Sequence, residues 1–363
     1  MKNTFGNSVT VTVFGESHGK SIGVVIDGLP AGITVDEEFI KSQLDKRRPV
    51  GSISTPRVEA DNFTIESGVF NGKTTGTAIC ILIPNTNTNS GDYNKNRFIA
   101  RPGHADYTAF CKYNGFEDYR GGGHFSGRVT AGIVAAGAVA ISALCKKGIR
   151  IGTHISKIAG VKDRNFFNIN KEIDTLNGKL FAVLDDKKGD EMKKAITSAR
   201  EDGDSVGGVL ETAVLGMPIG VGEPYFDSTE SMLSHALFSI PAVKGIEFGG
   251  GFALSDMRGS EANDCFKTDG EKITTVTNNN GGINGGITNG MPIIFRTAVK
   301  PTPTISKQQN TVDFSTNKNV ILSSGGRHDP CIVHRARVVV DSITALTLCD
   351  LLAIKFGTDW IGR

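Results

Sequence analysis

The stretch from Arg128 to Lys147 limits the fold more than any other part of the chain. It is rich in alanine, ends in basic residues and runs into Gly148, so it predicts a helix with a glycine stop. Its apolar residues go nearly all the way round, and a helix of that kind belongs inside a core, not on a surface with one wet face. The apolar run itself, Ala131 to Cys145, holds Gly132 and Gly137 and covers about 15 residues, short of the ~20 that a bilayer span needs. A core must surround this helix, and 363 residues are ample for one. No Pro/Gly/Ser-rich linker and no repeat divides the chain, so residues 1–363 read as one domain.

Lys and Arg number 40 and Asp and Glu 38, a net charge of +2. That balance excludes a polybasic tail for nucleic acid or a charged membrane anchor, and an aromatic content of 7% argues against a nucleic-acid partner in the same way. Any anion site must be built locally. The N-terminal MKNTFGNS has no signal-peptide pattern. Six scattered cysteines without a C-x-x-C pair read as reduced thiols of a cytoplasmic protein.

The alternation over Val9–Phe14 predicts a strand, resumed at Ile22–Ile26. Thr34 and Glu37 have capping-box spacing ahead of a helix through Leu44 that runs into Lys46-Arg47-Arg48 and stops at Pro49. The polar stretch Val161–Asp190 reads as a surface insertion or irregular hairpin. Short helices are expected at Glu191–Glu201 and at Ser228–Phe238, the latter capped by Asp227. Glu261–Asn280 is polar again, and Asp341–Ile354 reads as a late amphipathic helix.

Gly15–Ser21 ends in Gly-Lys-Ser, but its glycine spacing is one residue short of a P-loop. No G-x-G-x-x-G occurs, which argues against a Rossmann nicotinamide site. His328-Asp329-Pro330-Cys331-Ile332-Val333-His334 has zinc-ligand residue types without a zinc spacing, and no metal is expected. His18, His104, His124 and His328 sit in glycine-rich turns, where imidazole suits proton transfer near neutral pH. Arg47, Arg48, Arg101, Arg120, Arg128, Arg327 and Arg335 recur beside these turns. Convergent guanidiniums suit a small, highly anionic substrate. Glycine, 45 of 363 residues, exceeds the usual share of about 7%.

At these same segments the sequence resembles the chorismate synthase family. The matching pieces are Phe14-Gly15-Glu16-Ser17-His18-Gly19, Arg101-Pro102-Gly103-His104-Ala105-Asp106, Asp118-Tyr119-Arg120-Gly121-Gly122-Gly123, Gly203-Asp204-Ser205-Val206-Gly207-Gly208, Val243-Lys244-Gly245-Ile246-Glu247, Gly281-Gly282-Ile283-Asn284-Gly285-Gly286, Lys300-Pro301-Thr302 and Gly326-Arg327-His328-Asp329-Pro330-Cys331. They run in family order over nearly the whole chain. The resemblance implies an α+β fold, a β-α-β sandwich of antiparallel sheets around helices, assembled as a homotetramer. It implies a lyase of the shikimate pathway that turns 5-enolpyruvylshikimate-3-phosphate into chorismate by anti-1,4 elimination, using reduced FMN. The alternative is a flavin-dependent oxidoreductase on the same scaffold.

Carried over by the resemblance, His18, His104 and Asp329 are catalytic. His18 supports protonation of the reduced flavin, His104 protonates the departing phosphate, and Asp329 acts with the flavin as a base. Flavin contacts fall on His124, Phe125, Ser126, Pro241, Ala242, Gly285, Lys300, Pro301, Thr302, Pro303, Thr304 and Arg327. Arg47, Arg48 and Arg128 bind the substrate's anionic groups. The chain departs from the family pattern at His124 and Phe125, where arginine and serine are usual, and at Lys46 and Ile53, where arginine is usual. Some members of the family reduce the flavin themselves with NADPH; the missing nicotinamide fingerprint favours a separate flavin reductase here.

Overall fold

The computed structural model describes residues 2–49, 51–54, 60–86, 96–323 and 329–362. One five-stranded antiparallel sheet is built from β1 (Thr4–Phe5), β2 (Thr10–Gly15), β3 (Ser21–Asp27), β4 (Thr64–Ser67) and β5 (Ile79–Pro84), in the order β1-β2-β3-β5-β4. Every second residue of β3 and β5 points inward. Ile22, Val24, Ile26, Ile79, Ile81 and Ile83 are all buried, the half-buried alternation of a sheet with one face on a core.

The second five-stranded sheet comprises β6 (Arg150–Ile158), β7 (Val161–Lys162), β8 (Gly208–Leu215), β9 (Val243–Phe248) and β12 (Ile293–Val299), ordered β9-β12-β8-β6-β7; its pairings too are antiparallel. Between β9 and β12 in sequence lies the hairpin β10 (Ile283–Asn284) and β11 (Ile287–Thr288). A further hairpin follows, β13 (Gln309–Asp313) with β14 (Lys318–Leu322).

The longer helices pack on and around the two large sheets. They are α1 (Glu37–Asp45), α2 (Asp106–Tyr113), α3 (Thr130–Lys146), α4 (Ile169–Asn177), α5 (Asp186–Glu201), α6 (Thr229–Leu237) and α7 (Val333–Phe356). α3 packs on β3 and β5, α7 packs on β6 and β8, and α3 and α7 pack on each other. The expected sandwich, sheets outside and helices inside, is what forms. α3 and α7 approach so closely that a Cβ on Gly137 would fall 2.2 Å from Ser342 Cβ, so alanine there would force the helices apart. With the short 3-10 turn before it, α3 reaches 20 residues and is long and apolar enough to cross a membrane. The shortness inferred from Ala131–Cys145 therefore does not decide the matter; burial does, since 78% of the apolar window is enclosed by protein.

Four local expectations change. Asp36, not Thr34, caps α1, accepting from Phe39 N at 3.0 Å; Thr34 is in a bridge to Lys73. Ser228, not Asp227, caps α6. Residues 161–190 are not a surface insertion: they form β7, α4 and the start of α5, which begins at Asp186, not Glu191. Ile173, Leu176, Ala182 and Val183 are buried there, and each buried Ile, Leu or Val contributes roughly 1.5–3 kcal/mol. Their periodicity is diluted by lysine and aspartate. Finally, the helix expected at 341–354 begins at Val333 and is buried on every side except at its last turn. Polar residues gave α7 a false wet face. Arg337, Asp341 and Asp350 are interior: Arg337 donates to Leu176 O and Lys179 O at the end of α4, and Asp341 accepts from Thr153 Oγ1 at 2.6 Å.

A rung of charge crosses the second sheet. Asp163, His154 (β6), Glu211 (β8), Arg296 (β12) and Glu247 (β9) are bonded in that order, following the register that sets Glu211 opposite both His154 and Arg296 and sets Glu247 opposite Arg296. Burial pushes the His154 imidazole down, but its bonds to Asp163 and Glu211 outweigh this and leave its pKa raised. Burial likewise opposes ionisation of Asp163, but His154 and the N–H groups of Leu184 and Arg164 hold its carboxyl below the usual range.

Candidate active site

β2 ends at Gly15, and the turn that follows carries His18 into a buried position. Ser17 Oγ donates to Arg120 O at 3.2 Å. Its proton is thereby committed, so the 3.1 Å contact between Ser17 Oγ and His18 Nδ1 is donated by the ring, which puts a proton on Nδ1. Across the turn, Gly121, Gly122 and Gly123 all have positive φ (60°, 91° and 52°). A Cβ on Gly121 would sit 2.1 Å from His18 Cε1, so bare backbone is required there. Ser17 N donates to Gly123 O at 3.1 Å. His124 Nδ1 lies 2.8 Å from Gly15 O and, facing a carbonyl, must donate. Asp118, bonded through both oxygens to Arg120, has its carboxyl held low by that bond, against burial, with His18 adding to the effect.

From this turn a chain of bonds leads to the arginines. Asn85 Nδ2 donates to Glu16 O and Gly19 O, each at 2.9 Å, while its Oδ1 accepts from Arg128 Nε at 3.1 Å. Arg128 and Arg47 both bond Asp61, one to each carboxylate oxygen. Arg47 is buried. Burial, opposed by Asp61 and helped by Arg335 and Arg128, pushes its pKa down to about 10. It lies just past the C-terminal end of α1, and its carbonyl accepts from Arg335 Nε at 2.7 Å. Arg335, in the first turn of α7, donates through its NH1 to Asp329 Oδ2 at 2.5 Å. His18, Arg128, Arg47 and Asp329 thus belong to one continuous network.

His104 lies in a second group. Arg101 grips both oxygens of Asp106 at the start of α2, and the turn between them presents His104, whose Nε2 is 2.5 Å from Thr304 Oγ1. Lys300 Nζ donates to Gly103 O at 2.7 Å and Lys300 N to Ala242 O at 2.9 Å, so Ala242, next to Pro241, joins the same group. Ser205 Oγ donates to Thr302 O at 2.6 Å, and Val206 N to Pro330 O at 2.8 Å. The His104 group is therefore tied to Asp329 through Ser205 and Val206. Phe125, half-exposed, meets it from the other side, its ring 6.2 Å from that of Tyr113 on α2.

Other candidate residues stand apart. Ser126 Oγ accepts from Arg128 N, a capping bond for the turn before α3. Arg48 is turned back to Asp45 at 2.8 Å. Gly285, at the tip of β10–β11 with φ +60°, has nothing within 4 Å of where its Cβ would be; its neighbour Gly286 packs on Ser228 and Glu223. Pro301 and Pro303 lie in the Lys300–Thr304 segment, where Pro303 Cβ would be 2.9 Å from a Cβ on Gly103. Arg327 and His328 lie outside the described residues.

Lys46 turns inward toward Arg337 and Asp341, and burial first, then Arg337, pushes its pKa down to about 8. Ile53 joins the core. The residues missed in the sequence are Asp61 and Asn85, which no motif marks, and Ser17, whose role depends on where Arg120 O falls.

A flavin and a polyanion make separate demands on such a site. Glycine backbone near His18 offers bare N–H groups. The buried hydroxyl of Thr302 has no hydrogen-bond partner, which suits an absent polar group beside Lys300–Thr304. These residues fit a flavin.

Comparison with known proteins gives the chain a family. A family model for chorismate synthase matches residues 9–353. The chain is 46% identical over 360 residues to a chorismate synthase from Dehalococcoides mccartyi, covering 98% of each chain. It is 43% identical over 355 residues to one from Aeropyrum pernix, covering 98% of this chain and 93% of the relative. It is also 48% identical over 354 residues to one from Lachnoclostridium phytofermentans, covering 96% and 95%. A crystal structure of a chorismate synthase matches with a TM-score of 0.76 at 30% identity, over 97% of this chain and 94% of the other. The motif order, the sandwich and these relatives place the chain in the chorismate synthase family, lyases of the shikimate pathway.

Proposed function

We propose that the chain eliminates phosphate from 5-enolpyruvylshikimate-3-phosphate in an anti-1,4 sense to give chorismate, with reduced FMN bound, in the cytoplasm. The observation that carries this reading is the bonded network in which three guanidiniums (Arg47, Arg128 and Arg335) share two carboxylates (Asp61 and Asp329). Among the described residues that is a surplus of cations, which suits a substrate with two carboxylates and a phosphate. His124, Phe125 and Ser126, with Pro241, Ala242, Gly285, Lys300–Thr304 and Arg327, would hold the flavin. When bound, it lends electron density that helps the C–O bond break, with no net redox change.

The chain's own groups do the rest. Arg47 and Arg128, locked by Asp61, orient the anionic substrate. Arg48 joins them once it leaves Asp45. His104 gives a proton to the leaving phosphate oxygen. Asp329 accepts the ring proton whose bonding pair becomes the new double bond. His18, with Nδ1 fixed on Ser17, presents its other ring nitrogen to the flavin. Glycine turns and the packed loop 101–106 exclude water.

The family resemblance supports assembly as a homotetramer, and exposed aromatics such as Phe226 (92%) and Phe252 (82%) are available for subunit contacts. The sequence lacks a nicotinamide fingerprint, which supports a separate flavin reductase as partner. The test is an anaerobic assay with catalytic reduced FMN, run with and without NADPH. Chorismate and phosphate should form in equal amounts without NADPH once the flavin is reduced chemically. Flavin oxidised one-for-one with substrate would overturn the reading in favour of an oxidoreductase.

A further inference from the structure

Arg335 takes no step of its own in the reaction above, yet it touches two parts of the site. We propose that Arg335 is a positioning residue: one guanidinium on the first turn of α7 fixes the Asp329 carboxylate relative to the anion-binding arginine at the end of α1. Its NH1 donates to Asp329 Oδ2 at 2.5 Å, and its Nε donates to the Arg47 carbonyl at 2.7 Å. The planar fork sets the angle between these bonds, and α7, buried along most of its length, gives it a rigid base. The inference rests on the reading that Asp329 takes the ring proton.

The surroundings favour positioning over general charge balance. Burial pushes the Cys331 thiol up to about 12. Burial, with Arg335 adding, pushes the His334 imidazole down to about 3, and its Nε2 is held by Ser54 Oγ at 2.8 Å. Both neighbours are therefore neutral at working pH. On α1, the Arg47 guanidinium is already engaged with Asp61 and Gly127 O, and Arg128 beside it with Asp61 and Asn85. The bond to the Arg47 carbonyl ties the base to the same helix end that presents the arginine. A base that drifts by an ångström relative to bound substrate loses rate, not affinity.

The experiment is a double-mutant cycle on the full chain, with Arg335→Gln, Arg335→Lys, Asp329→Asn and their combinations. Arg335→Gln should lower kcat roughly tenfold to a hundredfold with KM nearly unchanged, and Arg335→Lys should recover part of it. In the Asp329→Asn background, Arg335→Gln should cost nothing further, because the two act together. A second readout needs no cofactor: the Asp329 carboxylate stretch in isotope-edited infrared spectra of the ligand-free chain, identified by its loss in Asp329→Asn, should shift in Arg335→Gln. Additive losses, or an unmoved band with losses that track thermal stability, would overturn the proposal. Full turnover in Asp329→Asn would overturn the assignment of Asp329, and Arg335 with it. If Arg335→Gln does not fold, Arg335→Lys carries both readouts.

Discussion

The arginine network at the start of α7 and the charged rung across the second sheet are made of the same side chains and end in opposite states. In the network, three guanidiniums meet two carboxylates. In the rung, two cations, His154 and Arg296, meet three carboxylates, Asp163, Glu211 and Glu247. The rung alternates in sign and has a carboxylate at each end, so each cation is held between two anions and none is left to meet an anionic ligand. Among the described residues the network holds one guanidinium more than it has carboxylates, and Asp61 grips two of the three. Stoichiometry and order, more than residue type, separate a structural charge cluster from one built to receive an anion.

That contrast can be broken in several places. The largest effect is expected at Asp61. Asp61→Ala leaves the buried Arg47 and the part-buried Arg128 without their shared carboxylate and should cost about 3–5 kcal/mol of stability, measured by urea unfolding; a loss below about 1 kcal/mol would show that the arginines re-pair without it. Next, His104→Ala should slow phosphate release by roughly a hundredfold or more, about 2.7 kcal/mol in the barrier, the usual scale for a lost general acid, while FMN titration stays nearly as in the parent. An unchanged rate removes His104 from the chemistry.

Smaller again, Glu211→Gln should destabilise the chain by about 2 kcal/mol, the scale of a buried charged hydrogen bond, with turnover unaltered. A parallel fall in kcat would mean the rung and the site are coupled.

The smallest effect is a pH dependence. Because the pKa of His154 is raised, its stabilisation is complete below about 6.5, the value of an unperturbed imidazole. It fades as pH rises through the higher folded value, above which the ring is neutral in both folded and unfolded chains. Asp163 is shifted the other way, so its share is complete above about 3.9 and fades as pH falls through its lowered value. Urea midpoints from about pH 6 to about pH 9 should decline in the parent and be flatter in His154→Gln. Equal slopes would mean the imidazole is not what titrates.

Much of this was legible in the residues. The buried helix α3, strands β2 and β3 and the glycine turns follow from local pattern, and the motif order reached the family. The interior of α7 did not show, because Arg337, Asp341 and Asp350 imitate a wet face, whereas their partners include α4, β6 and the turn at Asn7–Val9. The packed segment 161–190 was hidden by lysines and aspartates on its outer face. Asp61 and Asn85 are invisible for another reason: each acts by bridging loops far apart in sequence, and no local spacing records that.

One such bridge bears on how the molecule is made. Asp350, deep in α7, accepts from the backbone N–H groups of Asn7, Ser8 and Val9 at 2.7–3.0 Å, across 341 to 343 residues. The turn into β2 is therefore made more than three hundred residues before the carboxylate that clamps it. Until then the inner face of the second sheet lacks the helix that covers it. Such long-range closure slows folding and leaves apolar strands open to aggregation, so the nascent chain should be a strong client for holding chaperones until α7 has been made.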